Sequence, residues 1–137
     1  MAATTTPSIG SKTESTTTQQ IIEYFMESAP QNGHSIVRYN NILNTGDNVT
    51  GYVHLIGEWE LVGDWATPWE FSVFDPNGEL LDHAVLTYNL VDLDPFYYFG
   101  FVAPNQGVYV IEIIHISVFP RDLYMEIKPP GWEMILN

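Results

Sequence analysis

The sequence predicts an all-β chain: an antiparallel β-sandwich of jelly-roll type with about eight short strands. Three observations carry the prediction. Apolar and polar residues alternate with period two through most of the apolar runs, the pattern of half-buried strands. Clusters of Gly, Pro, Asn and Asp punctuate those runs at about 8–12-residue spacing. The chain is 45% hydrophobic and 14% aromatic, enough for a sizeable core and weighted toward residues that suit strands. No long amphipathic helix and no internal repeat is legible.

Residues 1–20 are rich in Thr and Ser, with runs at Thr4-Thr5-Thr6 and Thr16-Thr17-Thr18, and read as a tail or arm. The sandwich is expected over 21–130. Ile21 to Met26 is too short a run for periodicity to separate strand from helix. After a turn at Pro30 and Asn32-Gly33, His34 to Ile42 reads as a strand. It sets Ile36, Arg38 and Asn40 on one face and Val37 and Tyr39 on the other. Asn44 to Asn48 is turn chemistry. Val49 to Ile56 then alternates Val49, Gly51, Val53 and Leu55 against Thr50, Tyr52, His54 and Ile56.

Gly57 to Pro68 is irregular. Trp69 to Phe74 returns to strand, with Phe71 and Val73 inward. At Asp75-Pro76-Asn77-Gly78 the proline fixes φ and the glycine supplies a positive φ, so the chain reverses into Glu79 to Tyr88. A loop carrying Asp92 and Asp94-Pro95 follows. Phe96 to Ile116 contains two apolar runs around Ala103-Pro104-Asn105-Gln106-Gly107, and reads as a long hairpin through the centre of a sheet. It places Tyr97, Phe99 and Phe101 on one face, and Tyr109, Ile111 and Ile113 on one face. The last strand, Asp122 to Lys128, alternates Leu123, Met125 and Ile127 against Tyr124 and Glu126. Pro129-Pro130-Gly131 ends regular structure, leaving 131–137 as an extension.

Four Lys and Arg against 17 Asp and Glu give a formal net charge of -13. Such a surface repels phosphate backbones, which disfavours nucleic acid and anionic membranes and suits cations or a basic partner. A salty or acidic habitat would favour the same balance. With no cysteine, disulfides, zinc-thiolate sites and thiol catalysis are excluded, while the compartment stays open. No run has the length and apolarity of a transmembrane helix, and no basic-then-apolar signal peptide opens the chain. The expected location is therefore the cytosol, or the mature part of an exported protein.

With the strands placed, the chain resembles a known family. The runs are Gly46-Asp47-Asn48-Val49-Thr50-Gly51-Tyr52-Val53 and Phe71-Ser72-Val73-Phe74-Asp75-Pro76-Asn77-Gly78-Glu79. They continue with Phe99-Gly100-Phe101-Val102-Ala103-Pro104 and Gly107-Val108-Tyr109-Val110-Ile111-Glu112-Ile113. In order and spacing they are similar to the GOLD domain of the p24 (emp24-like) cargo-receptor proteins, and more so to its short stand-alone prokaryotic relatives. Jelly rolls of the pre-peptidase C-terminal type share the D-P-x-G and A-P…G-x-Y elements. The disulfide, coiled coil and transmembrane helix of the eukaryotic receptors have no counterpart here, so cargo-receptor function does not carry over. The resemblance implies a non-catalytic module that binds proteins or lipids. The family often has Asn where the strand after G-x-Y ends. His115 stands there in this chain, and a histidine can also donate to a carbonyl.

Four groups of residues invite a chemical reading. Trp59, Trp65 and Trp69, flanked by Glu58 and Glu60, offer rigid aromatic area for a sugar ring or peptide, or alternatively close one end of the sandwich. Glu58 and Glu60 would share one side of a strand, and glycosidase carboxylates lie ~5–10 Å apart. In so acidic a chain such pairs arise by chance, and no enzyme is expected. Asp75, Asn77 and Glu79 alternate through one turn, and Asp92 and Asp94 through another, as Ca²⁺ ligands do, although neither loop matches an EF-hand. His34, His54, His83 and His115 have no metal-ligand spacing, and no H-E-x-x-H or G-x-S-x-G occurs. The expectation is a non-catalytic module with a protein partner and no cofactor beyond a possible Ca²⁺ ion. The alternatives are an extracellular surface or filament subunit that self-assembles through its N-terminal arm, and a carbohydrate-binding module using the Trp-rich loop.

Overall fold

Period-two alternation gives each strand one apolar row, and two sheets close those rows against each other. The structure is a computed structural model and describes residues 19–30, 33–56, 68–87, 96–117 and 120–136. Its strands are β1 (Gln20–Met26), β2 (Ser35–Leu43), β3 (Asn48–Ile56), β4 (Pro68–Phe74) and β5 (Leu80–Thr87). They continue with β6 (Phe96–Val102), β7 (Gly107–His115), β8 (Arg121–Lys128) and β9 (Glu133–Met134). One sheet has the order β1-β8-β3-β6 and the other β5-β4-β7-β2-β9, and every pairing is antiparallel. Except for β4 and β5, consecutive strands lie in opposite sheets, which is the double Greek key of a jelly roll.

The faces fall as alternation predicts. Val49, Val53 and Leu55 of β3, Phe71 and Val73 of β4, and Met125 and Ile127 of β8 are all fully buried. Each such side chain is worth about 1.5–3 kcal/mol of transfer free energy. Phe71 of one sheet stacks on Phe99 of the other at 4.7 Å between centroids. The Tyr97 hydroxyl donates to Asp82 at 2.7 Å and joins the sheets along the β5–β6 side.

Three expectations change. The Ile21 to Met26 run is a strand, because Ile22 and Met26 face the core and β8 supplies its ladder. Phe96 to Ile116 is not a hairpin: β6 pairs with β3, and β7 pairs with β2 and β4 in the opposite sheet. Pairing the two runs directly would put both apolar rows on one face of one sheet. Crossing between sheets instead sets them face to face, and Phe101 stacks on Tyr109 at 5.9 Å. The crossing is pinned to the β2–β3 turn, where the Gly46 amide donates to the Ala103 carbonyl and the Ala103 amide to that of Asp47, both at 2.8 Å.

The third change is at the C-terminal end, which continues the fold. Trp132 is buried, and β9 pairs with β2 through Asn40 and Tyr39. The Gln20 side chain binds this segment from both directions. Its Oε1 accepts from the amides of Gly131 and Trp132, and its Nε2 donates to the Trp132 carbonyl.

Candidate functional site

The residues expected to bind a ligand divide sharply. Trp59, Trp65, Glu58 and Glu60 lie outside the described residues, as do Asp92 and Asp94. Trp69 is fully buried in the inward row of β4, which is flanked by β5 and β7. It has no exposed face to stack on a sugar, and its role is packing. Asp75 is also buried, and its Oδ1 accepts from the amides of Asn77 and Glu79 at 2.8 and 2.9 Å. The carboxylate therefore closes the β4–β5 turn, while Asn77 and Glu79 remain exposed. Among the described residues no group of three or more His, Cys, Asp or Glu is placed to hold a metal ion.

His115 ends β7 in a buried position that fixes its tautomer. The Ser117 amide donates to its Nδ1 at 3.2 Å, which leaves the proton on Nε2 to donate to the Glu27 carbonyl at 3.1 Å. Burial lowers the ring's pKa against the smaller opposing effect of the bond to Glu27. A base held below its ordinary value of about 6.5 lends its full stability above that pH and loses it as pH falls toward the folded-state value. We expect wild type to lose stability relative to His115→Asn, by up to about 1.4 kcal/mol per pH unit, as urea melts move below about pH 6.5. Parallel curves for the two proteins would refute a buried neutral imidazole. The comparison with His115→Asn removes the contribution of the many carboxylates.

What the fold does assemble lies on the outer face of the β1-β8-β3-β6 sheet. Strand register sets Ile21, Glu126, Tyr52 and Tyr98 in one row across the four strands. The next row is Glu23, Tyr124, His54 and Phe96. The rings touch one another: Tyr52 lies 5.5 Å from Tyr98, 5.6 Å from Phe96 and 6.1 Å from Tyr124, and His54 stacks on Phe96 at 4.0 Å. Tyr98 is the outermost, at 72% exposure.

At the centre stands the Glu126 carboxylate. Its Oε2 accepts from the Tyr52 hydroxyl at 2.7 Å and from the Tyr124 hydroxyl at 2.6 Å, and its Oε1 accepts from Gln19 Nε2 at 3.1 Å. The Tyr124 and Tyr52 hydroxyls hold the carboxyl below the usual carboxylate range, while both phenols are raised by the same bonds. The result is a carboxylate whose ionised form is favoured, set among aromatic rings. Beside it a groove of about 320 Å³ opens between Tyr52, Tyr98, Glu126, Thr50 and Lys128. Opposite Thr50 in the ladder, Gly100 contributes no side chain to this outer face.

The outer face of the other sheet differs. There the Arg38 guanidinium pairs with Glu112 at 2.7 Å, the His83 ring bonds Glu70 at 3.2 Å, and the exposed apolar residues are aliphatic, with Ile42 at 71% exposure.

Sequence reasoning assigned Tyr52, Tyr124 and Glu126 to outward positions without seeing a site in them. A usable signal was present. Tyr52, His54 and Tyr124 are aromatic side chains on the solvent parity of strands whose other parity already fills a core. What alternation could not supply is that β3 sits between β6 and β8, which brings the outward rings of the three strands together.

No family model matches the sequence, and no curated protein matches it. Among solved structures, the chain is similar to a chain of the cowpea mosaic virus top component, the naturally occurring empty particles. The TM-score is 0.53 at 10% identity, over 90% of this chain and 89% of that one. At that identity the likeness is one of fold, and it places this chain among jelly-roll β-sandwiches.

Proposed function

We propose that this chain is a non-catalytic binding module that takes a protein partner on the outer face of the β1-β8-β3-β6 sheet. The observation that carries the reading is the contiguous set of Tyr52, Phe96, Tyr98 and Tyr124 around Glu126. Tyrosine and phenylalanine offer large contact area with few torsions to freeze, and a satisfied polar group at the centre gives orientation. The role implied by the GOLD resemblance, a module that binds other molecules without chemistry, is of the same kind. Panning a random-peptide display library on the purified chain tests the reading, with a Phe96→Ser, Tyr98→Ser double variant as counter-screen. We expect peptides whose binding falls by roughly tenfold or more on the variant. If the only binders are indifferent to the two substitutions, the face is not the binding surface.

A second reading is an assembly subunit. It is favoured by the likeness in fold to a chain of a virus particle and by the aliphatic outer face around Ile42. In that reading the arm before Gln19 adds a strand to a neighbouring copy at a sheet edge, since Gln19 and Gln20 are already engaged within the fold. Light scattering on the full chain and on a chain lacking residues 1–18 decides it. An assembly that is lost with the arm supports it, and two monomers refute it.

A further inference from the structure

We infer that the outer face of the β1-β8-β3-β6 sheet is built for a cation, the guanidinium of an arginine in a basic peptide segment, seated over Tyr98 and Tyr52 beside Glu126. The inference rests on the reading of this face as the binding surface and specifies its ligand. Three independent features lead to it. A guanidinium is attracted to the negative face of an aromatic ring, and Tyr98 and Tyr52 present two rings at 5.5 Å bordering an open groove. Glu126 supplies the countercharge, and its carboxylate is already oriented by three donors, which lowers the ordering cost when the guest arrives.

The third feature is the field. The face carries Glu23, Asp122 and Glu126 against Lys128, on a chain of net charge -13. Long-range attraction therefore favours a basic guest and opposes a second copy of this chain, whose carboxylates would be brought against these. Arginine suits the site better than lysine, because its planar group can stack on a ring while its N–H edge points to a carboxylate.

Lys128 makes the inference sharp. It lines the same groove, one row from Glu126, and so occupies part of the potential that the guest would use. Removing its charge should strengthen binding, an outcome that a purely apolar platform would not give.

The test is a titration of the full chain with a capped peptide alternating Arg and Gly, and with its citrulline analogue, read by calorimetry and by ring-proton NMR shifts. We expect the arginine peptide to bind and the citrulline peptide to bind at least about fivefold more weakly. Tyr98→Leu, which keeps apolar area but removes the ring, should weaken the arginine peptide by about threefold to fivefold. Glu126→Gln should weaken it by about fivefold and Lys128→Gln should tighten it by about twofold, with Ile42→Ser on the other sheet neutral. Equal binding of the two peptides, or arginine binding unchanged in both Tyr98→Leu and Lys128→Gln, overturns the inference. Display peptides that depend on the face but carry no basic residue overturn it too, and leave the binding-face reading standing. An absence of any face-dependent peptide removes both. Tyr98 and Lys128 are exposed, so their variants stay informative if Glu126→Gln proves unstable.

Discussion

Gly51→Ala is expected to cost about 3 kcal/mol or more, a large share of the stability of a domain this size. An alanine Cβ at this position would stand 2.2 Å from the Glu126 carbonyl oxygen, 2.8 Å from Phe99 Cζ and 3.0 Å from Ile127 Cα. Two of those atoms are β8 backbone. They cannot retreat without opening the β3–β8 ladder, which runs from Thr50–Lys128 to Ile56–Asp122. The third belongs to a ring held against Phe71 in the core. Gly100→Ala, on the neighbouring strand, is the matched control: its Cβ would meet nothing closer than the Val49 carbonyl oxygen at 3.6 Å. That change should fall within about 0.5 kcal/mol of wild type. Urea denaturation of the two variants provides the measurement, and coincident midpoints would mean that β3 and β8 are not packed as described.

The second large effect is at Trp69. Truncation to alanine should destabilise by about 3–5 kcal/mol, because the indole is fully buried between the sheets and its removal leaves a cavity the sandwich cannot close. Trp69→Phe should cost far less than its lost volume suggests. The indole Nε1–H is buried without a hydrogen-bond acceptor among the described residues, and phenylalanine removes that uncompensated donor together with the extra ring. We expect about 1 kcal/mol for Trp69→Phe, hence a separation from alanine of roughly 10 °C in Tm. A wild-type-like melt for Trp69→Ala would restore a surface role for this tryptophan and reopen carbohydrate binding by the loop before β4.

Much of the strand pattern was legible because alternation is local. Val37, Tyr39, Val53, Phe71, Val73, Met125 and Ile127 are inward by parity alone, and the structure buries each of them. The β4–β5 reversal was legible for the same reason. Asp75-Pro76-Asn77-Gly78 carries its own instructions, and Gly78 adopts φ 80° in the turn. The proposed binding face was half legible. Parity set Tyr52, Tyr124 and Glu126 opposite the apolar rows of their strands, yet Tyr52 lies some seventy residues from the other two, and nothing local brings them together.

What the sequence by itself determined, then, is the class of fold, which face of most strands is buried, and the acidic character that favours a cationic guest. Tertiary structure alone decided the partners. It parted β6 from β7 into opposite sheets and folded Trp132 into the core. It also decided Trp69, which the sequence left between ligand contact and packing, in favour of packing, and gathered Tyr98, Tyr52 and Tyr124 around one carboxylate. The physical reason is that a period-two pattern states which side of a strand is apolar but not which strand lies beside it. Pairing is settled by which arrangement covers every apolar row at once, and that is a property of the whole chain.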